Sequence, residues 1–137
     1  MSKEDMKNML EFTDEEMKVL MENPNNVQIL RKAPGLMKKT IIVEVVKSHG
    51  CAAQHKVGDK LYFTGEGNLL SKLCPSRICM SALNAAGGLV SNAVTLMWAD
   101  QDPNKMLFKI AGCSDVGLEC GGWGNIAMEI RVEDRKS

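Results

Sequence analysis

Apolar and polar positions change their period along this chain, and each change marks an element. Near the N-terminus the spacing is helical. Thr13 with Glu16 forms a capping-box pattern, Phe12 can staple the first turn, and Met17, Leu20 and Met21 share one face. Asn23 followed by Pro24 is a second helix start, with Val27, Ile29 and Leu30 on its apolar side and Ala33-Pro34-Gly35 as its expected end. Neither helix is long enough to persist alone. Met17, Leu20, Val27 and Leu30 are therefore expected to dock on the chain's own domain, on a second copy or on a partner protein.

From residue 40 the period falls to two. Residues 40–47 read as a strand, with Ile41, Val43 and Val45 on one face and Ile42, Glu44 and Val46 on the other. A loop over residues 49–59 follows, and Val57-Gly58-Asp59 turns the chain into a second strand at Leu61-Tyr62-Phe63. Residues 65–68 form another turn. Its Gly65-x-Gly67 lacks both the third glycine of a dinucleotide fingerprint and the Lys-Ser/Thr end of a P-loop.

Helical spacing returns after Cys74-Pro75. Proline at the first helical position would place Cys74 at the N-cap, followed by Ile78, Cys79, Ala82, Leu83 and Ala86. Gly87-Gly88 is expected to interrupt this helix. Leu89, Val90, Ala93, Val94 and Met97 resume it up to Trp98, with a strand over residues 94–98 as the alternative. Residues 105–111 form a third strand with Met106, Phe108 and Ile110 alternating. A cysteine- and glycine-rich loop spans 112–124, and a fourth strand spans 126–132 with Ile126, Met128, Ile130 and Val132 inward. The charged residues 133–137 are expected to fray. The fold class is therefore α+β: a small, mostly antiparallel sheet packed against a central helical region over residues 37–137, with a helical N-terminal extension over residues 1–36.

Composition narrows the function classes. Acidic and basic residues balance at 17 each, and no basic stripe with interleaved aromatics appears, so nucleic acid is not an expected partner. No apolar run is long enough for a membrane, and Met1-Ser2-Lys3-Glu4-Asp5 is no signal core. The expected compartment is the cytoplasm, where thiols stay reduced and five cysteines read as ligands, nucleophiles or core filler. The ten methionines read as a soft core.

Both histidines and the first cysteine fall within residues 48–59. Cys51 and His55 form a Cys-x3-His pair able to reach one ion. Cys74 at its helix start and Cys113 at the end of the third strand could join them. The expected metal set is Cys51, His55, Cys74 and Cys113, suited to zinc or to an iron–sulfur cluster. Cys79 lies among Ile78, Ala82 and Leu83 and reads as core. Cys120, beside Gly121-Gly122, reads as a fourth ligand, a resolving thiol or neither, and residues 121–124 as a hairpin connection or a mobile loop over a site. Lys56 and Asp59 read as turn residues, Asp59 bonding loop amides. A different reading makes Cys74 a reactive thiol activated by its helix N-terminus, with His55 as base and Asp59 or Asp115 as companion acid. A third leaves the cysteines inert in an interaction module.

The segments Cys51-Ala-Ala-Gln-His55-Lys-Val-Gly-Asp59, Cys74-Pro75-Ser76, Trp98 with Asp102-Pro103, and Cys113-Ser-Asp115 together resemble an uncharacterised family of short prokaryotic proteins, many from anaerobes. Its pattern is a Cys-x2-Gly-His-Lys-x-Gly-Asp segment, a Cys-Pro helix start and a late Cys-Pro-Asp. The resemblance covers residues 40–132. It implies a shared fold and Cys/His set without an established activity. Gln54 stands in place of the usual glycine, Ser114 in place of the proline, and residues 120–124 lie outside the pattern. The resulting functional expectation is a metal- or iron–sulfur-binding accessory protein or subunit in anaerobic metabolism.

Overall fold

The computed structural model describes residues 1–136. Four short helices come first: α1 (Lys3–Leu10), α2 (Asp14–Glu22), α3 (Pro24–Val27) and α4 (Ile29–Met37). Strands β1 (Lys39–His49) and β2 (Lys60–Thr64), the long helix α5 (Met80–Trp98), and strands β3 (Ile110–Gly112) and β4 (Asn125–Asp134) follow. The four strands form one antiparallel sheet in the order β2-β1-β4-β3. The α+β expectation holds. No helix among the described residues is long and apolar enough to cross a membrane.

The core lies between one face of the sheet and α5. Ile41, Val43 and Val45 of β1, Leu61 and Phe63 of β2, and Ile126, Met128, Ile130 and Val132 of β4 are all buried there. They meet Ala82, Ala86, Leu89, Val90, Ala93 and Met97, a stripe at helical spacing along α5. The stripe brackets Gly87-Gly88, so the expected break does not occur. Burial on both sides of the pair outweighs roughly 1 kcal/mol of helix propensity lost per glycine. Residues 94–98 are helix, not strand.

Helices α2 and α3 begin where the sequence indicates, but the single helix expected after Pro24 is split at Gln28 into α3 and α4. Thr13 and Glu16 exchange both capping-box bonds at the start of α2. Ser2 and Asp5 do the same for α1, a helix that a single buried apolar residue, Met6, left unread in the sequence. Pro34 does not stop α4, which runs on to Met37. Proline has no N–H for the Leu30 carbonyl, and the Met1 ammonium donates to that carbonyl instead at 3.4 Å. Met17 is buried as expected, but Val27 is exposed. Leu36 shares the core of the sheet, which ties α4 to the chain's own domain.

Two further differences have local causes. The third strand is shorter than residues 105–111 and begins at Ile110. Asp102 accepts the Asn104 N–H and holds a 3-10 turn at Pro103–Lys105. The Asn104 amide then donates to the Val132 carbonyl at 2.9 Å and accepts the Val132 N–H at 2.8 Å, taking the place of a strand partner. At the C-terminus, Glu133 and Asp134 belong to β4, and Asp134 pairs with Lys39 at 2.6 Å. The fraying expected for Ser137 lies outside the described residues.

Candidate functional site

Three segments meet at the N-terminal end of α5: the loop after β1, the stretch before α5, and the loop between β3 and β4. Cys51, His55, Cys79, Cys113 and Cys120 all line one pocket there, of about 460 Å³, with the first turn of α5 forming part of its wall. None of the five cysteines is in a disulfide.

The loop after β1 is shaped by close backbone approach. A register shift between Val45 and Lys47 lets the last residues of β1 pair with Ile126 and Asn125 at the start of β4. Gly50 has φ of 65° and lies against Gly124, where a side chain on Gly124 would strike the backbone of His49 and Gly50. Cys51 then opens a turn closed by the Gln54 N–H on its carbonyl at 3.0 Å. Gln54 has φ of 63°, a left-handed conformation that glycine adopts without strain. Asp59 accepts the Lys56 N–H at 2.9 Å, the turn role expected for it.

His55 spends its Nε2 on the start of α5. It is 7% exposed. Its Nε2 accepts the backbone N–H of Cys79 at 3.1 Å, and its Nδ1 faces Asp59 Oδ2 at 3.9 Å. Its carbonyl accepts the Ser48 hydroxyl at 2.6 Å. The lone pair assigned in sequence to a metal thus holds the N-cap residue of α5 in place.

The helix start moves five residues from its expected position. Cys74 ends a 3-10 turn at Ser71–Leu73, and residues 75–79 are irregular before α5 begins at Met80 with Cys79 as N-cap. Proline fixes φ at the first position of a helix without supplying the apolar stripe that sustains one, and that stripe starts at Ala82. The Cys74 thiol accepts the Tyr62 N–H at 3.3 Å and donates to the Leu70 carbonyl at 3.3 Å. It seals the edge of β2 and does not line the pocket. Cys79, expected as core alone, packs against the core and lines the pocket as well. Of the set Cys51, His55, Cys74 and Cys113, three residues come together, and Cys79 stands where Cys74 was expected.

The loop before β4 is built on Asp115. Its carboxylate accepts N–H groups from Gly117 at 2.9 Å, Trp123 at 3.0 Å and Gly124 at 3.3 Å. These bonds hold the Asp115 carboxyl below the usual aspartate range, the Gly117 bond contributing most. A side chain on Gly122 would strike the same carboxylate. Ser81 of α5 exchanges a hydroxyl bond with Ser114 at 2.6 Å and accepts its N–H at 2.8 Å, fastening Cys113 beside the helix start. The signal for Cys79 was present in the cysteine count; the contact that recruits it joins residues 24 apart in sequence.

Among the described residues no three His, Cys, Asp or Glu side chains converge on a point able to hold one metal ion. Iron–sulfur clusters are held by cysteine thiolates. Four of the five cysteines line the pocket. The fold and this site define an α+β protein with a thiol-lined pocket at a helix N-terminus. No family model, curated protein or solved structure matches the chain.

Proposed function

We propose that the protein binds an iron–sulfur cluster in the pocket at the α5 N-terminus and serves as a cytoplasmic accessory protein or subunit in anaerobic metabolism. Cys51, Cys79 and Cys113 are the proposed ligands, with Cys120 as the fourth. The observation that carries this reading is the gathering of four of the five cysteines around one pocket. The positive end of the 19-residue helix α5 favours thiolates and an anionic cluster there. The chemistry such a group supplies is one-electron transfer. The resemblance to a family frequent in anaerobes fits the same reading. His55 and Asp115 are positioning residues, the first through Cys79 and the second through the loop that carries Cys120.

The test is anaerobic purification, then reconstitution with ferrous iron and sulfide. Broad visible absorption with stoichiometric iron and sulfide is expected. It should fall in Cys51→Ser, Cys79→Ser and Cys113→Ser and persist in Cys74→Ser. Tightly bound, colourless zinc would replace the cluster by a single-ion site. Loss of iron in Cys74→Ser but not in Cys79→Ser would restore the set Cys51, His55, Cys74 and Cys113.

A second reading has its own observation. Cys79 holds the N-cap position that sequence assigned to Cys74, so a reactive thiol at a helix N-terminus is Cys79. Metal-free protein with one thiol that alkylates fast, lost in Cys79→Ala, would select it.

A further inference from the structure

The sheet has two edges, and the chain treats them differently. The β2 edge is covered by its own sequence. The Tyr62 N–H is bonded to the Cys74 thiol, the Tyr62 carbonyl accepts the Leu70 N–H, and Leu69 makes a bridge to Phe63. At the other edge, Leu107 and Phe108 just before β3 and Ile110 within it are 85%, 76% and 55% exposed. An apolar edge left open is a template for strand addition.

The bonding pattern fixes what the edge can accept. Ile130 donates to the Lys109 carbonyl at 2.9 Å, and Cys113 donates to the Ile126 carbonyl at 3.3 Å. In an antiparallel ladder such pairs recur at every second residue. Residues 109, 111 and 113 therefore spend their main-chain groups on β4, and Phe108, Ile110 and Gly112 direct theirs outward. Among the described residues no turn or cap bond uses those outward groups.

We infer that this edge pairs with the same edge of a second copy, β3 against β3 across a two-fold axis at Ile110, joining the two sheets into one. The segment is self-complementary in that register. Ile110 exchanges both hydrogen bonds with its own equivalent, and Phe108 pairs with Gly112 of the other copy on each side. An aromatic ring opposite a glycine covers the backbone that the glycine leaves bare. A register centred on Lys109 would oppose two like charges. Ile110 lies opposite Glu129, on the face away from α5, so Phe108 and Ile110 of both copies form one apolar row there. The chain's formal net charge of zero adds no long-range repulsion between copies.

The test is the solution mass of the full chain under reducing, iron-free conditions, by light scattering over a dilution series. The mass should rise with concentration to twice the 15.0 kDa of one chain. Phe108→Lys and Ile110→Pro should hold the single-chain mass with an unchanged far-ultraviolet spectrum, since the Ile110 N–H bonds nothing within its own chain. Hydrogen exchange on the unmodified protein gives an independent readout: the Ile110 and Gly112 amides should slow as concentration rises. A single-chain mass throughout, or variants that associate like the parent, would overturn the pairing.

Discussion

The two ends of α5 are built by opposite means. At its C-terminal end the chain is packed and clamped. Leu36 is buried in the core, Lys32 donates to the Trp98 carbonyl and pairs with Asp100 at 3.2 Å, and Arg31 adds a longer pair to the same carboxylate. At its N-terminal end Ala82 is buried against the sheet, but the loops around the helix start leave space open. The loops are held by directed bonds to His55, Ser81 and Asp115 and by glycines at close backbone approach, and a pocket lined by thiols remains. One end draws its stability from burial. The other uses hydrogen bonds to keep reactive side chains near one another without filling the space between them.

Mutation should separate the two ends, and the largest effect is expected at the packed one. Leu36→Ala should cost about 3 kcal/mol of stability in a denaturant titration, from lost burial plus the cavity. Its iron loading, measured well below the melting temperature, should match the parent. Reduced loading in this variant would mean that the ends are coupled through α5.

His55→Ala should cost about 2 kcal/mol, because the Cys79 N–H loses its acceptor in a buried setting. Here loading should fall even where the protein is fully folded. Amide exchange at Cys79 should speed up while exchange in the β1–β4 ladder stays slow. Equal acceleration in both places would make His55 a general packing residue.

Acid should loosen the pocket end first. The folded-state pKa of Asp115 lies below its unfolded value, so its contribution is present above the usual aspartate range and is lost as pH falls through the lowered value. Trp123 donates its backbone N–H to this carboxylate, so in a Trp98→Phe background its fluorescence should change in that window, ahead of the global acid transition. Asp115→Asn should remove the early change. A single transition in the parent would show that this loop does not open separately.

The smallest effect is a gain. Gln54→Gly should stabilise the protein by about 0.7 kcal/mol, the midpoint of a left-handed cost of roughly 1–2 less the extra chain entropy of glycine at roughly 0.5–1. No gain would mean that the Gln54 side chain offsets its own strain.

Much of this molecule was legible in the chain because it depends on neighbours in sequence. Alternation over residues 40–47 and 126–132 set the strands that became the centre of the sheet, and Thr13 with Glu16 set the start of α2. The concentration of His, Cys and Gly in residues 49–59 and 112–124 marked the loops that line the pocket. What resisted reading depends on partners far along the chain. The break expected at Gly87-Gly88 was overruled by the sheet beneath it, Pro34 was carried through α4 by the Met1 ammonium, and β3 was cut short by the Asn104 amide bonding Val132.

The exchange of Cys74 for Cys79 belongs to the same class. Cysteine followed by proline is a sound local signal for a helix start, yet helix nucleation is costly and is decided by whatever holds the first turn. Here His55 holds it by accepting the Cys79 N–H, and Tyr62 and Leu70 take up the Cys74 thiol. Sequence alone determined which residue types the site would use and which loops would carry them. Only the tertiary structure decided which thiols share the pocket, because a side chain's direction follows from the backbone bonds around it, and those bonds join residues that the sequence keeps apart.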